Sequence, residues 1–495
     1  MKSEKITSKL LYQDDIMDNE QSLFGFISTI YDKPLKRDFN YTPTKTIKAE
    51  IKKEKSLFNF FVLAGTFLLL IAGTFLVYQM QPEFYEFNIG RMNSAWGFAL
   101  IVFGATLLLF KTGFFIYNLY LYFKYKPIKS VSDEELPTCT VIVPAYNEGK
   151  QVWDTLMSLA NSSYPQEKLQ LLAIDDGSKD DTWYWMQEAK RKLGDRLSIF
   201  QQPENKGKRH ALYRGFNLGT GEIFVTVDSD SIVKEDTLRN LVSPFVLNED
   251  CGAVAGNVHV LNKEKGIIPK MLNVSFVLSF EFIRSAESSL GSVMCTPGAL
   301  SAYRSEAVFA CLPEWINQTF MGQPSDIGED RAMTNMILKQ GYKVVFQRNA
   351  YVLTNVPEKY QGLYKMFIRW SRSNVRENIM MAKYVFKNFR EESKIGTRLL
   401  FLNQSIKLIM AYPAILLMMF VVITHPVLFL TSTLFSILVL SSFPAFFYAK
   451  RYDARQSVWA YSYSLLYAFG LFWITPYAIA TVHKRGWLTR ELSVK

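Results

Sequence analysis

Cysteine is scarce: four residues in 495, at Cys139, Cys251, Cys295 and Cys311. No spacing among them suits a zinc site or a disulfide framework. The chain also lacks a compact basic domain and any base-stacking module, so its net charge of +11 does not argue for nucleic acid, and no nucleic-acid partner is expected. That charge suits anionic lipid or a diphosphate ligand. A secretory signal is not expected either, because about fifty polar residues precede the first apolar run.

Charge is nearly missing from several long stretches. Leu57–Tyr78 is long enough to cross a bilayer, and Trp96–Phe123 is a second span, interrupted by Lys111. Leu399–Thr424, Val427–Ala449 and Trp459–Val482 form a C-terminal set. Lys45, Lys48, Lys52, Lys53 and Lys55 precede the first span, and Lys124, Lys126 and Lys129 follow the second. The short loop between them carries only Arg91 among basic residues, beside Glu83 and Glu86. Both ends of this hairpin, and the polar stretch 124–398, are therefore expected in the cytosol.

From Thr138 the pattern changes to short apolar runs alternating with amphipathic stretches. "CTVIVPAYNE" (139–148), "LQLLAIDDGS" (169–178), "LSIFQQ" (197–202) and "EIFVTVDSD" (222–230) read as strands ending in turns. Trp183–Leu193 and His210–Leu218 read as helices between them. Strand–helix alternation predicts a mostly parallel α/β sheet, which binds ligands at the carboxyl ends of its strands.

Those ends carry Asp175-Asp176-Gly177 and Asp228-Ser229-Asp230. Two carboxylates one residue apart can hold a hard divalent cation whose shell a diphosphate completes; Asp and Ser also favour plain turns. "NKGKRHAL" (205–212) sets Lys206, Lys208 and Arg209 at a helix start, an anion site or a solvated basic turn. "DIGEDRAMTNMIL" (326–338) sets Glu329 and Asp330 at another helix start, as dipole partners or with one as a general base. In "KMFIRWSRSNVRE" (365–377), Lys365, Arg369, Arg372 and Arg376 share one helical face. Its ligand is a phosphate-bearing substrate, a lipid headgroup, or both.

Taken together and in this order, "VIVPAYNE", "IDDGS", "VDSD", "GED" and "RW" resemble the family 2 processive glycosyltransferases, the membrane synthases of cellulose, chitin and hyaluronan. "GKRHA" (207–211), "VDSDS" (227–231), "TPGALSAYR" (296–304) and "NQTFMGQPSDIGEDRAMTN" (317–335) look most like hyaluronan synthases. "GWLTR" (486–490) resembles the Trp-Gly-Thr-Arg element of hyaluronan and chitin synthases. The resemblance runs from about Leu57 to Arg490, and residues 1–50 have no counterpart.

The resemblance implies a GT-A-like α/β cytosolic domain with a mostly parallel sheet, fused to an α-helical transmembrane domain. It implies a processive, inverting transferase that polymerises UDP-sugars and passes the growing polysaccharide across the cell membrane. Asp176 would contact uridine, and Asp228 and Asp230 would hold Mg²⁺ or Mn²⁺ on the diphosphate. Lys208 and Arg369 would face phosphate, and Asp330 would be the base. Trp370 would be the acceptor platform, with Cys295 and Arg304 in the segment at the acceptor end. Trp487 and Arg490 would close over the nucleotide. One departure stands out: where the family has Gln-x-x-Arg-Trp, this chain has Met366, which cannot donate the same hydrogen bonds. A non-processive transferase acting on a polyprenyl phosphate shares the donor half but needs neither Arg-Trp nor the C-terminal element.

The expected organisation is a cytosolic extension (1–55), a transmembrane hairpin (56–123), the catalytic domain (124–360), interfacial helices (361–398), C-terminal spans (399–482) and a cytosolic tail (483–495). Three full C-terminal crossings would put the basic tail outside. Trp459–Val482, with Gly470 and Pro476, is therefore expected to dip and return or to lie partly in the interface, the alternative being a split in Leu399–Thr424. Asn403, Gln404, Ser405 and Lys407 read as an interfacial helix start or as the lining of a polymer path. Lys111 is expected to snorkel towards the cytosolic surface. Arg372 and Arg376 extend the Arg369 face towards lipid.

Overall fold

A computed structural model describes residues 58–392 and 394–484. The expectations for residues 1–55, Trp487 and Arg490 lie outside the described residues. All four expected strands form, trimmed of their turn residues: β1 (Cys139–Ala145), β2 (Leu169–Asp175), β3 (Leu197–Gln201) and β4 (Ile223–Val227). Every residue of β1 and β4 is buried. Parallel strands covered on both faces need continuous apolar runs, which is why these segments were legible as strands.

Further strands are β5 (Ser231–Val233), β6 (Cys251–Val260) and β7 (Leu300–Arg304). A small separate hairpin pairs β8 (Thr319–Phe320) with β9 (Gln323–Pro324), and β10 (Lys343–Thr354) completes the set. The eight-stranded sheet runs β3-β2-β1-β4-β7-β6-β10-β5. β1 to β4 pair in parallel, as do β6 and β10. β7 runs antiparallel between β4 and β6, and β5 runs antiparallel at the edge of β10. The carboxyl ends of β2 and β4 thus meet the amino end of β7 along one edge of the sheet. Trp315, Phe216, Phe224 and Phe346 are fully buried in the core around it.

The apolar stretches are helices with outward-facing apolar side chains. Leu109, Ile423 and Leu440 are each more than 70% exposed, and no residue of Ala411–Thr424 is buried. A helix apolar all round needs a nonpolar surrounding. Among the described residues two helices, Ala95–Lys124 and Pro426–Arg451, are long and apolar enough to cross a membrane. Three bent pairs raise the count to five if each is one span.

One expectation needs correcting here. The segment between the first two spans is not a loop: Gln81–Met92 is a helix started by Pro82 and bent 54° from its predecessor. Proline fits the first helical turn, where its missing N–H leaves no bond unmade. The C-terminal set is broken at two places: Ile395–Ile409 meets Ala411–Thr424 at 44°, and Ala454–Gly470 meets Ile474–Ala480 at 47°. Lys111 is paired within the protein, its Nζ donating to Asn403 Oδ1 at 2.7 Å. The polar start of the third span is paired inside the protein, Gln404 Nε2 to Asn374 Oδ1 and Ser405 Oγ to Asn378 Oδ1 at 3.0 Å.

The apolar helices are pinned to the sheet domain by directed bonds. Just beyond Ala95–Lys124, Tyr125 Oη donates to the Phe346 carbonyl at 2.8 Å, and Ser289 Oγ donates to the Leu121 carbonyl at 3.0 Å. The buried carboxylate of Glu281 accepts from Tyr452 Oη and lies 3.2 Å from Arg451 Nε and 3.4 Å from His259 Nε2. Glu281 belongs to a π-helical segment, Val277–Ile283, whose other face looks into the cavity described next.

Candidate active site

At the carboxyl edge of the sheet lies a cavity of about 500 Å³. Asp176, Lys208, Asp228, Asp230, Cys295, Asp330, Arg369 and Trp370 all line it, as does Met366. Segments as much as two hundred residues apart in the sequence therefore meet in one place.

Asp176 follows β2 and is buried. Its Oδ1 accepts from Lys206 N at 3.0 Å and its Oδ2 from Gly207 N at 2.7 Å. These bonds fix the turn that starts the Lys208–Leu218 helix and so aim Lys208 into the site. Lys208 Nζ bonds Asp228 Oδ1 and lies 3.4 Å from Glu329 Oε1. Burial pulls the Lys208 pKa down, but the carboxylates of Asp228, Glu329 and Asp330 outweigh it and raise it, so the ammonium stays charged. Asp230 accepts from Thr354 Oγ1 at 3.2 Å, which ties the end of β4 to β10.

Asp330 sits in the first turn of Glu329–Lys339. Its Oδ2 accepts from Gly298 N at 3.1 Å and its Oδ1 from Arg331 N at 2.7 Å. Burial, and then the neighbouring Glu329 charge, push its pKa above the usual carboxylate range. Burial also pushes the Cys295 thiol up to about 12, so it is neutral at pH 7. Gly298 separates the two acidic groups. A Cβ there would lie 2.7 Å from Lys208 Nζ, 3.6 Å from Asp228 Oδ2 and 3.7 Å from Asp330 Oδ2. Any side chain at 298 would fill the space where reactants must meet.

The Tyr360–Ala382 helix presents Met366, Phe367, Arg369, Trp370 and Ser373 to the cavity. Trp370 is 43% exposed, with its ring 6.3 Å from that of Phe276 and 5.6 Å from that of Phe367. Arg372 and Arg376 do not reach lipid. Both are buried; Arg372 donates to Thr481 Oγ1 at 2.9 and 3.1 Å, and Arg376 to the Ile327 carbonyl. Behind them, Glu377 accepts from Gln318 Nε2 at 2.9 Å and Asn335 Nδ2 at 3.0 Å, locking this helix to the one that carries Asp330.

Among the described residues given a role by the resemblance, Arg304 is the one that lies elsewhere. It ends β7, where it pairs with Ile223 at the start of β4. Because β7 is antiparallel to β4, four residues from Leu300 carry the chain roughly 13 Å away from the cavity edge. Arg304 instead donates to the carbonyls of Cys251 and Phe245, both at 3.1 Å. Sequence reasoning missed Glu148, Asn205, Arg284, Arg331 and Tyr463, which also line the cavity. A single arginine in the apolar run before Ser285 was the available signal for Arg284.

Among the described residues no cluster of three or more His, Cys, Asp or Glu forms a metal cage. Asp228 and Asp230 nevertheless fit one kind of ion. Two carboxylates facing a cavity, with other positions left to ligand phosphates and water, are the donor set Mg²⁺ favours, and Mn²⁺ accepts similar ligands. In sum, the site places an oxygen-rich, cation-balanced end beside a buried carboxyl group and an aromatic face.

Residues 137–373 match the family described as "Glycosyltransferase like family 2", so this part of the chain is a glycosyltransferase domain of family 2. An N-acetylglucosaminyltransferase of Rhizobium meliloti (strain 1021) is 33% identical over 251 residues, covering 50% of this chain and 58% of that protein. A hyaluronan synthase of Streptococcus pyogenes is 30% identical over 280 residues, covering 56% of this chain and 65% of that one. The match thus spans about three fifths of the length of these relatives. The solved mannosyltransferase PcManGT of Pyrobaculum calidifontis, in complex with GDP-Man and Mn²⁺, superposes with a TM-score of 0.50 at 21% identity, over 74% of this chain and 98% of that one. The sheet domain is therefore GT-A-like.

Proposed function

We propose that the chain is a processive, inverting β-glycosyltransferase of the cell membrane. It polymerises UDP-activated sugars on the cytosolic side and passes the product outward. The reading chosen is hyaluronan from UDP-GlcNAc and UDP-glucuronate. The observation that carries it is the convergence of Asp176, Lys208, Asp228, Asp230, Asp330, Arg369 and Trp370 on one cavity.

Each residue then has a task. Asp176 shapes the donor pocket and contacts uridine. Asp228 and Asp230 would hold Mg²⁺ or Mn²⁺, which when bound neutralises diphosphate charge. Lys208 and Arg369 stabilise the negative charge that builds on the leaving diphosphate. Asp330 takes the proton from the acceptor hydroxyl, whose oxygen forms the new bond to C1 as the C1–diphosphate bond breaks. One such displacement inverts the anomeric centre; a retaining double displacement would need a second, nucleophilic carboxylate. Trp370 offers an apolar face to a sugar ring. Trp487 and Arg490 are assigned to closure over the nucleotide.

The N-acetylglucosaminyltransferase relative favours a second reading, a β-linked polymer of GlcNAc alone. Purified protein in nanodiscs, given Mg²⁺ or Mn²⁺ and a panel of UDP-sugars, separates the two. Polymer that needs both UDP-GlcNAc and UDP-glucuronate and is cut by hyaluronidase is the expected result. Polymer made from UDP-GlcNAc alone and cut by chitinase overturns it in favour of the second.

A further inference from the structure

The wall of the cavity beside Trp370 is built from a stripe that recurs every four residues: Phe276, Phe280 and Arg284. The Phe276 ring lies 6.3 Å from Trp370 and 5.6 Å from Phe280. The Arg284 guanidinium stacks on Phe280, 4.1 Å from the ring centroid. Aromatic faces therefore run from Trp370 to a single cation. The charged neighbours of that cation are Glu287, Asp330 and Arg331, which places it on the base side of the site.

Stacking engages only the face of a guanidinium. Its N–H donors lie in the plane and point elsewhere. Nη1 of Arg284 is sealed from solvent and has no hydrogen-bond partner among the described residues. The guanidinium makes no hydrogen bond or ion pair among the described residues, so the donors on the edge that faces the cavity are open to a ligand atom. The planar fork of arginine matches the two oxygens of a carboxylate, whereas a neutral sugar offers hydroxyls singly. The diphosphate end already has Lys208 and Arg369, so the anion for Arg284 belongs to the other reactant.

We propose that Arg284 reads a carboxylate on the acceptor glycan, a hexuronate at its growing end, while Trp370, Phe276 and Phe280 carry the ring faces. The inference rests on the reading of this cavity as the acceptor site of a glycan polymerase, and it makes Arg284 a determinant of which acceptor is extended.

The test uses purified full-length protein and two oligosaccharide acceptors. One ends in glucuronate; the other is its carboxyl-reduced counterpart, ending in glucose. Single addition from UDP-GlcNAc is measured with each, and UDP affinity is measured in parallel to show that each variant is folded. The expected wild-type KM is at least tenfold lower for the glucuronate-ended acceptor. In Arg284→Gln the KM for that acceptor rises about tenfold to a hundredfold, so the preference collapses. Should Arg284→Gln lose UDP affinity, Arg284→Lys decides, with a preference between wild type and none. Equal KM values for the wild type, or a preference that survives substitution, overturn the role of Arg284 and leave the polymerase reading standing. Failure of the wild type to extend either acceptor from UDP-GlcNAc overturns both.

Discussion

Asp330 concentrates the chemistry at the scale of one residue. Asp330→Asn keeps an acceptor oxygen for Gly298 N or Arg331 N but cannot take a proton. Elongation should fall about 10²- to 10⁴-fold while UDP affinity is retained. Unchanged elongation in a turnover assay would move the base elsewhere. The pH profile carries a second prediction. The base works ionised, and burial and Glu329 both raise its pKa above 3.8. Activity should therefore be lost, as pH falls, at a higher pH than an ordinary aspartate would set. Glu329→Gln removes one of the causes that raise it, so the acid limb of kcat should move to lower pH. A limb that stays fixed, or moves up, would show that Glu329 does not act on the base. Asp176, Asp228, Asp230 and Asp330 were legible because each adjoins the end of a strand or the start of a helix with a readable pattern. Arg304 was misread because nearness to a site motif in sequence says nothing of strand polarity. Arg284 was legible only as a lone arginine in an apolar run, because nothing in the sequence shows which face of such a segment will meet a cavity.

At the scale of elements, the site depends on how the Glu329–Lys339 helix meets the Tyr360–Ala382 helix. Gly328 is the point of contact. It holds φ +75°, a conformation costly for other residues, and a Cβ there would come 1.9 Å from Ser373 Oγ. Gly328→Ala should lower stability by about 2–4 kcal/mol, combining backbone strain with overpacking. A thermal-unfolding cycle in detergent checks this. Adding Ser373→Gly should recover the steric part and not the strain. Full recovery would mean that the backbone is unstrained, and no recovery that the contact is not made. Here too periodicity reached only halfway. The spacing of Arg369, Arg372 and Arg376 predicted one helical face correctly, but not that Thr481 and the Ile327 carbonyl would cover two of its three guanidinium groups. A helix pattern states which residues share a side; the partner on that side comes from tertiary packing.

For the whole molecule, the proposed function requires the sheet domain and the Gln81–Met92 helix to lie on opposite sides of a membrane. The argument is electrostatic. Lys124, Lys126 and Lys129 follow the Ala95–Lys124 helix, whereas Arg91 stands among Glu83 and Glu86 at its other end. Positive charge near a span end is retained in the cytosol. The scarcity of cysteine makes this directly measurable. Cys139, Cys251 and Cys311 are buried, and Cys295 lies on the cavity wall with its thiol held protonated by burial. Native labelling by a bulky, membrane-impermeant maleimide should therefore be weak. Glu86 and Lys129 are both exposed, so cysteine at either position is open to the reagent. In intact cells Glu86→Cys should label and Lys129→Cys should not. After permeabilisation both should label. Labelling of Lys129→Cys alone in intact cells would invert the molecule, putting the cavity outside and away from cytosolic UDP-sugars. Labelling of neither would mean that the bent pair returns to its own side, and that outward passage of the polymer needs another route.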